Sequence, residues 1–229
     1  NSTMINNTAG VQKGKLHNSS VEFFWKQNKQ GKPASFFVPP DGKGWFWPKA
    51  CILINNKLYI FLSQIDKTKE DPGAMDFKTI GGWIGLVNNP FETPAKWTYQ
   101  IEKTPFLTFD SAMLIKDNYL YVYGFYDKHT TMMGKNFTDR QMVMARVNVN
   151  QIKDYKSWKF YNKNQWKSGV ENASAIFSGV GTEYSVNYLP KINQYLLVTN
   201  APFLSPVIIA RTSPNPWGPW SDAIQLYSS

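Results

Sequence analysis

Cysteine is nearly absent. Cys51 stands alone among 229 residues, so neither an intrachain disulfide nor a cysteine-based zinc site can form. Histidine is almost as scarce: only His17 and His129 are present, which excludes a histidine-rich metal site. No stretch reaches the roughly 18 apolar residues of a membrane-spanning helix, so no transmembrane segment is expected. Lys and Arg outnumber Asp and Glu by 25 to 16, a net charge of +9, yet the lysines are scattered and no basic run marks a nucleic-acid track. Such a surface favours anionic partners in general and argues against nucleic acid in particular. The sequence also lacks GxSxG, a Walker loop and GxGxxG, leaving serine-hydrolase, P-loop and Rossmann readings without support. With DxDxDG missing as well, no cofactor is expected, although a structural cation held by backbone carbonyls in a central channel would leave no mark in the sequence.

What is abundant is aromatic. Aromatics make up 16% of the chain, with 9 Trp and 12 Tyr, while charged residues at 18% fall below the usual roughly 25%. Both lean towards β structure, where flat and branched side chains fit the pleated surface. The clearest stretch is Asp110 to Tyr126, which alternates apolar and polar residues on both sides of Lys116-Asp117-Asn118, the pattern of two half-buried strands joined by a tight turn. Variants of this hairpin recur. WFWPKACILI, a turn at Asn55-Asn56, KLYIFLSQI, a loop over Asp66 to Lys78, TIGGWIGLV and KWTYQI make one four-strand block. The Asp110 hairpin, a loop over Asp127 to Thr138, RQMVMARVNV and KSWKFY make the next; YSVNYL, QYLLVTN, PVIIART and WSDAIQLY make the last.

Leu58, Leu120 and Leu196 are then equivalent, as are the strand-leading residues Trp97, Trp158 and Trp220, with an insertion over Asn162 to Gly181 accounting for the unequal spacing. Four-stranded antiparallel units repeated at blade length predict an all-β, five-bladed β-propeller, with a β-sandwich as the alternative. A single domain over residues 1–229 is expected. Asn1 to Lys26 supplies two strands, half a blade, so the first half-blade is expected upstream of Asn1 or from the C-terminal end. Residue 1 is Asn rather than Met, which a cleaved signal peptide or trimming would explain. Sequons at Asn18, Asn136 and Asn172 are compatible with a secreted or cell-surface location and do not establish it.

Loop lengths distinguish the two rims. The connections leading into the first and third strands of each unit (Asn28–Gly44, Glu102–Phe109, Asn162–Gly181, Asp66–Lys78, Asp127–Thr138) are mostly long, and long loops on a rigid scaffold are where function concentrates. At that rim the inner strands begin at Trp45-Phe46-Trp47-Pro48-Lys49, Phe109-Asp110-Ser111 and Thr182-Glu183-Tyr184-Ser185. Asp110 and Glu183 thus occupy equivalent positions, and a carboxylate pair in an aromatic pocket is the equipment of glycoside hydrolysis. The plainer alternatives are a strand-leading turn residue for Asp110 and a solvated carboxylate for Glu183. Trp45, Trp47 and Tyr184 suit stacking on sugar rings, although core packing between blades is the commoner use of Trp. Lys49 and Arg140 suit an anionic or hydroxylated substrate or plain surface charge, and His129, beside Met132 and Met133 in a long rim loop, is placed to reach over the pocket and contact substrate, with an ordinary exposed loop histidine as the commoner alternative.

Three segments carry a family resemblance. ARVNVNQIKDYKSWKFYNKNQW, EYSVNYLPKINQYLLVT and IIARTSPNPWGPWSDAIQLY resemble five-bladed propellers related to arabinan- and xylan-cleaving glycosidases, in particular a family labelled only as a domain of unknown function. The most distinctive piece runs from Ala210-Arg211-Thr212-Ser213-Pro214 into Gly218-Pro219-Trp220-Ser221, and INNTAG and WFWPKA fit the same pattern. The resemblance implies a glycoside hydrolase-like protein acting on a polysaccharide, with three acidic residues at the inner-strand starts of successive blades. Asp110 and Glu183 match by position, whereas Lys49 stands where an acid would be wanted and the first-blade aspartate has no counterpart. The alternative it leaves is a propeller that binds carbohydrate or protein without cleaving. A carbohydrate partner, neutral or anionic, and a monomer are expected.

Overall fold

Period-2 alternation becomes antiparallel strand along most of the chain, in a computed structural model that describes residues 4–14, 19–67, 77–127, 140–201 and 205–228. Two compact units result, Asn1–Leu107 and Thr108–Ser229.

In the first unit, β1 (Ala9–Lys13) pairs with β2 (Ser20–Phe24), and the short β3 (Lys26–Gln27) pairs with β4 (Pro33–Ala34), which lies inside the expected loop. The main sheet is a meander of β5 (Trp45–Ile54), β6 (Lys57–Lys67), β7 (Phe77–Val87) and β8 (Tyr99–Lys103). β6 and β7 run further than expected. Asp66 pairs with Lys78 and Lys67 with Phe77, which removes both ends of the predicted loop. The core gathers Phe36, Phe37, Phe46, Leu62 and Trp83, and Asn7 stitches the loop to the sheet. Its amide donates to the carbonyls of Phe37 at 2.9 Å and Phe46 at 3.0 Å, while its Oδ1 accepts from Phe37 N at 2.7 Å.

The second unit holds two sheets. One is β9 (Ala112–Lys116), β10 (Tyr119–Tyr126), β11 (Gln141–Asn148), β12 (Lys159–Asn162) and β13 (Gln165–Lys167); the other is β14 (Tyr184–Leu189), β15 (Gln194–Asn200), β16 (Val207–Ser213) and β17 (Ile224–Ser228). The expectation of four strands per unit therefore needs correction here. Part of the supposed insertion after Asn162 folds back as β13, which delivers Trp166 against Tyr161 (rings 5.2 Å apart) and Tyr121 (5.9 Å). The inner strands β9 and β14 lie side by side, and the two sheets share one core of Tyr121, Tyr123, Met142 and Met144 with Val180, Tyr184, Val186 and Leu197.

Local chemistry explains the tight turns. Asn55-Asn56 and Asp117-Asn118 adopt positive φ at both positions (48° and 61°, 49° and 62°), the mirror-image turn whose twist matches the strands and which Asn and Asp tolerate. Lys163-Asn164, between β12 and β13, does the same at 45° and 69°. The repeat also recurs in detail. Trp97 and Trp158 each follow a single 3-10 turn (Pro94–Lys96 and Tyr155–Ser157), and each donates its indole N–H at 2.9 Å to a carbonyl just upstream, of Glu92 and Ile152 respectively.

Candidate functional site

Asp110 leads into β9 and is only 4% exposed. Its position is set by three backbone features. Ser111 N donates to Tyr123 O at 3.0 Å, extending the β9–β10 ladder, and Phe125 N donates to Thr108 O at 3.2 Å. The third is a close approach: a Cβ added to Gly124 would lie 1.9 Å from Thr108 O and 2.8 Å from Phe109 Cα, so only glycine lets the segment before Asp110 lie on β10. Phe109 then anchors it, buried edge-on against Phe160 with ring centroids 5.2 Å apart.

The start of β14 is tied to the start of β9. Ser111 Oγ donates to Thr182 O at 2.8 Å, so Asp110 and Glu183 sit one residue to either side of a single hydrogen bond. Their surroundings differ. Glu183 is exposed and accepts a hydrogen bond from the Thr182 hydroxyl, whereas Tyr184, the next residue, points into the core as strand alternation requires. Tyr184 donates its hydroxyl to Gly124 O at 2.8 Å. Burial pushes its phenol well above the ordinary value near 10; the Ser111 hydroxyl opposes this and the charge of Asp110 adds to it. Tyr184 is thereby a neutral, buried post joining β14 to β10, with its ring in the core rather than on a sugar-facing surface.

Arg140, named from the sequence as a substrate contact, is 7% exposed and forks onto Asp127, Nε to Oδ1 at 2.6 Å and Nη2 to Oδ2 at 3.0 Å. Its guanidinium lies 4.7 Å from the Phe125 ring centroid. The charge is matched and stacked, an anchoring role that its position near a loop did not signal. His129, with Met132 and Met133, lies outside the described residues, as do His17 and the sequon asparagines Asn18 and Asn136.

In the first unit, Trp45 and Trp47 project from the same face of β5 while Phe46 fills the core between them. Both are half-buried, their rings 6.5 Å apart, and Trp47 packs edge-on against Phe77 at 4.8 Å. Lys49 is half-buried where the β5–β6 register shifts between Pro48 and Cys51.

A carboxylate not singled out from the sequence stands ahead of β5. Asp41 Oδ1 accepts from Gln64 Nε2 at 2.8 Å and from Lys43 N at 3.1 Å. The Gln64 amide, then the Lys43 backbone N–H, hold its carboxyl below the usual range; desolvation opposes them, and the charges of Lys103 and Lys43 add to the lowering. Gln64 is itself fully buried and accepts from Trp83 Nε1 at 2.7 Å. In sequence, Asp41 within Pro-Pro-Asp-Gly looks like an ordinary turn residue, and Gln64, beside Ser63 in the polar second half of β6, does not mark it either. Among the described residues, no group of three or more His, Cys, Asp or Glu is gathered to hold a metal ion.

This is an all-β protein of repeated antiparallel meanders, with inner-strand starts joined beside two carboxylate residues. The chain belongs to the family described as Domain of unknown function (DUF5005), which matches residues 1–229. No curated protein matches the sequence. Among solved structures it is similar to a Bacteroides ovatus protein inferred to be a hydrolase, at 14% identity and TM-score 0.64, over 86% of this chain and 52% of that one. At that identity the likeness establishes a shared fold, and the chain spans about half the length of the Bacteroides protein. A likeness to the GH43_1 enzyme from Xanthomonas citri complexed with xylose, at 16% identity over 77% of this chain and 54% of that one, has a TM-score of 0.43, too loose to bear on the argument.

Proposed function

We propose that the chain is a glycosidase-like β-propeller acting on a polysaccharide through the carboxylates of Asp110 and Glu183. The observation that carries this reading is the Ser111–Thr182 hydrogen bond, which sets the two acidic residues on either side of one contact. One of them is buried and the other solvated. Contrasting surroundings are what a carboxylate pair needs if its members are to divide the work of proton donation and activation of water. On this reading one of the two carboxyl groups protonates the leaving glycosidic oxygen and the other acts as base or nucleophile. Support for the propeller comes from the repeated meanders, the side-by-side inner strands β9 and β14, and the recurring Trp97 and Trp158 clamps. A polysaccharide substrate implies action outside the cell, because such polymers do not cross membranes intact.

A second reading, a propeller that binds glycans without cleaving them, is favoured by the tight enclosure of Asp110 and by the commitment of Arg140 and Tyr184 to structural partners. Release of reducing ends from arabinans, xylans and acidic glycans separates the two. Asp110→Asn and Glu183→Gln are each expected to lower turnover by about 10²-fold or more, the size of a lost acid or base. Turnover unchanged in both variants would overturn the assignment, and binding without turnover by the native chain would establish the second reading.

A further inference from the structure

A cleft of the second unit lies at the far end of the inner strands from Asp110. It occupies about 640 Å³ between β9 and β14, beside the tight turns, and is lined by Leu114, Lys116, Asn187, Tyr188, Asn193 and Tyr195 among others. Six residues separate Asp110 from Lys116, on the order of 20 Å of extended chain, so this is a place distinct from the carboxylate pair.

Its lining has a particular chemistry. Tyr188, 47% exposed, sets its ring 5.1 Å from that of the buried Tyr195, at 47°, so that Tyr195 backs the one exposed aromatic face. Tyr188 donates its hydroxyl to Asn193 Oδ1 at 2.7 Å, fixing the ring and leaving the Asn193 amide nitrogen as a donor. Lys116 Nζ stands 5.5 Å from the Tyr195 centroid and 5.8 Å from that of Trp217, a cation held at the edge of the cleft by two ring faces. Flat aromatic surface, side-chain amides and one fixed positive charge are together the complement of a sugar ring that carries a carboxylate. The volume is that of a small-molecule site and has room for a short oligomer.

We infer that this cleft is a second glycan site, non-catalytic and selective for an acidic sugar, with Tyr188 as the stacking residue and Lys116 as the anion contact. It stands independently of whether Asp110 and Glu183 cleave anything.

The test is calorimetric titration of the full chain with tetragalacturonate and with neutral arabinotetraose. The native protein binds the acidic oligomer more tightly, and its affinity falls several-fold between about 20 and 300 mM salt, as a contact with an exposed charge does. Tyr188→Ala weakens binding by about tenfold or more, since truncating a stacking aromatic removes a dominant contact. Lys116→Met weakens the acidic oligomer by about five- to tenfold and leaves the neutral one unchanged. The pair Asp110→Asn and Glu183→Gln, together in one chain, leaves the titration as it was. Circular dichroism of Tyr188→Ala checks that the exposed substitution preserves the fold. No binding of either oligomer at millimolar concentration, native binding by Tyr188→Ala, or equal affinity for the two oligomers overturns the proposal. So does loss of binding in the Asp110/Glu183 variant alone, which would place the ligand at the other end of the strands.

Discussion

Removing one hydroxyl at Tyr184 tests the account of how the site is held, because the phenol is both a hydrogen-bond donor and a buried titratable group. In Tyr184→Phe the ring still fills its place among Tyr123, Met142 and Leu197, but Gly124 O loses the donor now 2.8 Å away. Gly124 lies opposite Val143 in the β10–β11 ladder, so the loss is that of one buried hydrogen bond to a carbonyl the strand also holds, about 1–1.5 kcal/mol at neutral pH. The cost changes with pH in a fixed direction. Below the ordinary value of 10.0 the phenol is neutral in folded and unfolded chains alike; above it the unfolded chain releases a proton that burial makes the folded chain retain. Native stability therefore falls as pH rises past 10, by about 1.4 kcal/mol from this one group at a pH one unit higher. The phenylalanine variant has no such loss. Its deficit in urea denaturation, about 1–1.5 kcal/mol at pH 7, should shrink to near zero at pH 11. A deficit constant from pH 7 to 11 would refute the enclosure of Tyr184, and the absence of any deficit at pH 7 would refute the importance of its bond to Gly124.

Gly124→Ala should act on the same structure from the opposite side. The new Cβ would force Thr108 and Phe109 off β10, costing about 1–3 kcal/mol, as overpacking does; if Asp110 takes part in catalysis, turnover falls by about 10²-fold for a displacement near 1 Å. Urea midpoints and reducing-end release check the two parts, and a variant with both unchanged would contradict the close approach. Arg140→Lys keeps the charge but loses the fork onto Asp127 and the stack on Phe125, so it should destabilise by about 1–2 kcal/mol. A double-mutant cycle with Asp127→Asn measures the coupling, and a coupling near zero would return Arg140 to the surface role that its neighbourhood in sequence suggests.

Much of this protein is determined by the sequence alone, because the determining physics is local. Alternation placed β5 at Trp45–Ile54, and Asn55-Asn56 and Asp117-Asn118 named their own turns. Consecutive antiparallel strands then left little choice of sheet order, and registration aligned Trp97 with Trp158, which share an indole clamp that the third aligned residue, Trp220, lacks. Other features were decided only by tertiary contacts. β13 is three residues long with one apolar side chain, too short for any period, and its turn at Lys163-Asn164 lacks glycine; it exists because Trp166 finds Tyr121 and Tyr161. The contrast between Glu183 and Tyr184 depends on which strand face meets the core, a one-residue parity that the pattern of β14 does not reveal by itself. Arg140 meets Asp127, and Asp41 meets Gln64, across thirteen and twenty-three residues of chain. Charge and hydrogen-bonding groups take their roles from partners that only the folded chain brings within reach. The strand pattern could therefore nominate Asp110, while the fold determined how deeply that aspartate is enclosed and what holds it there.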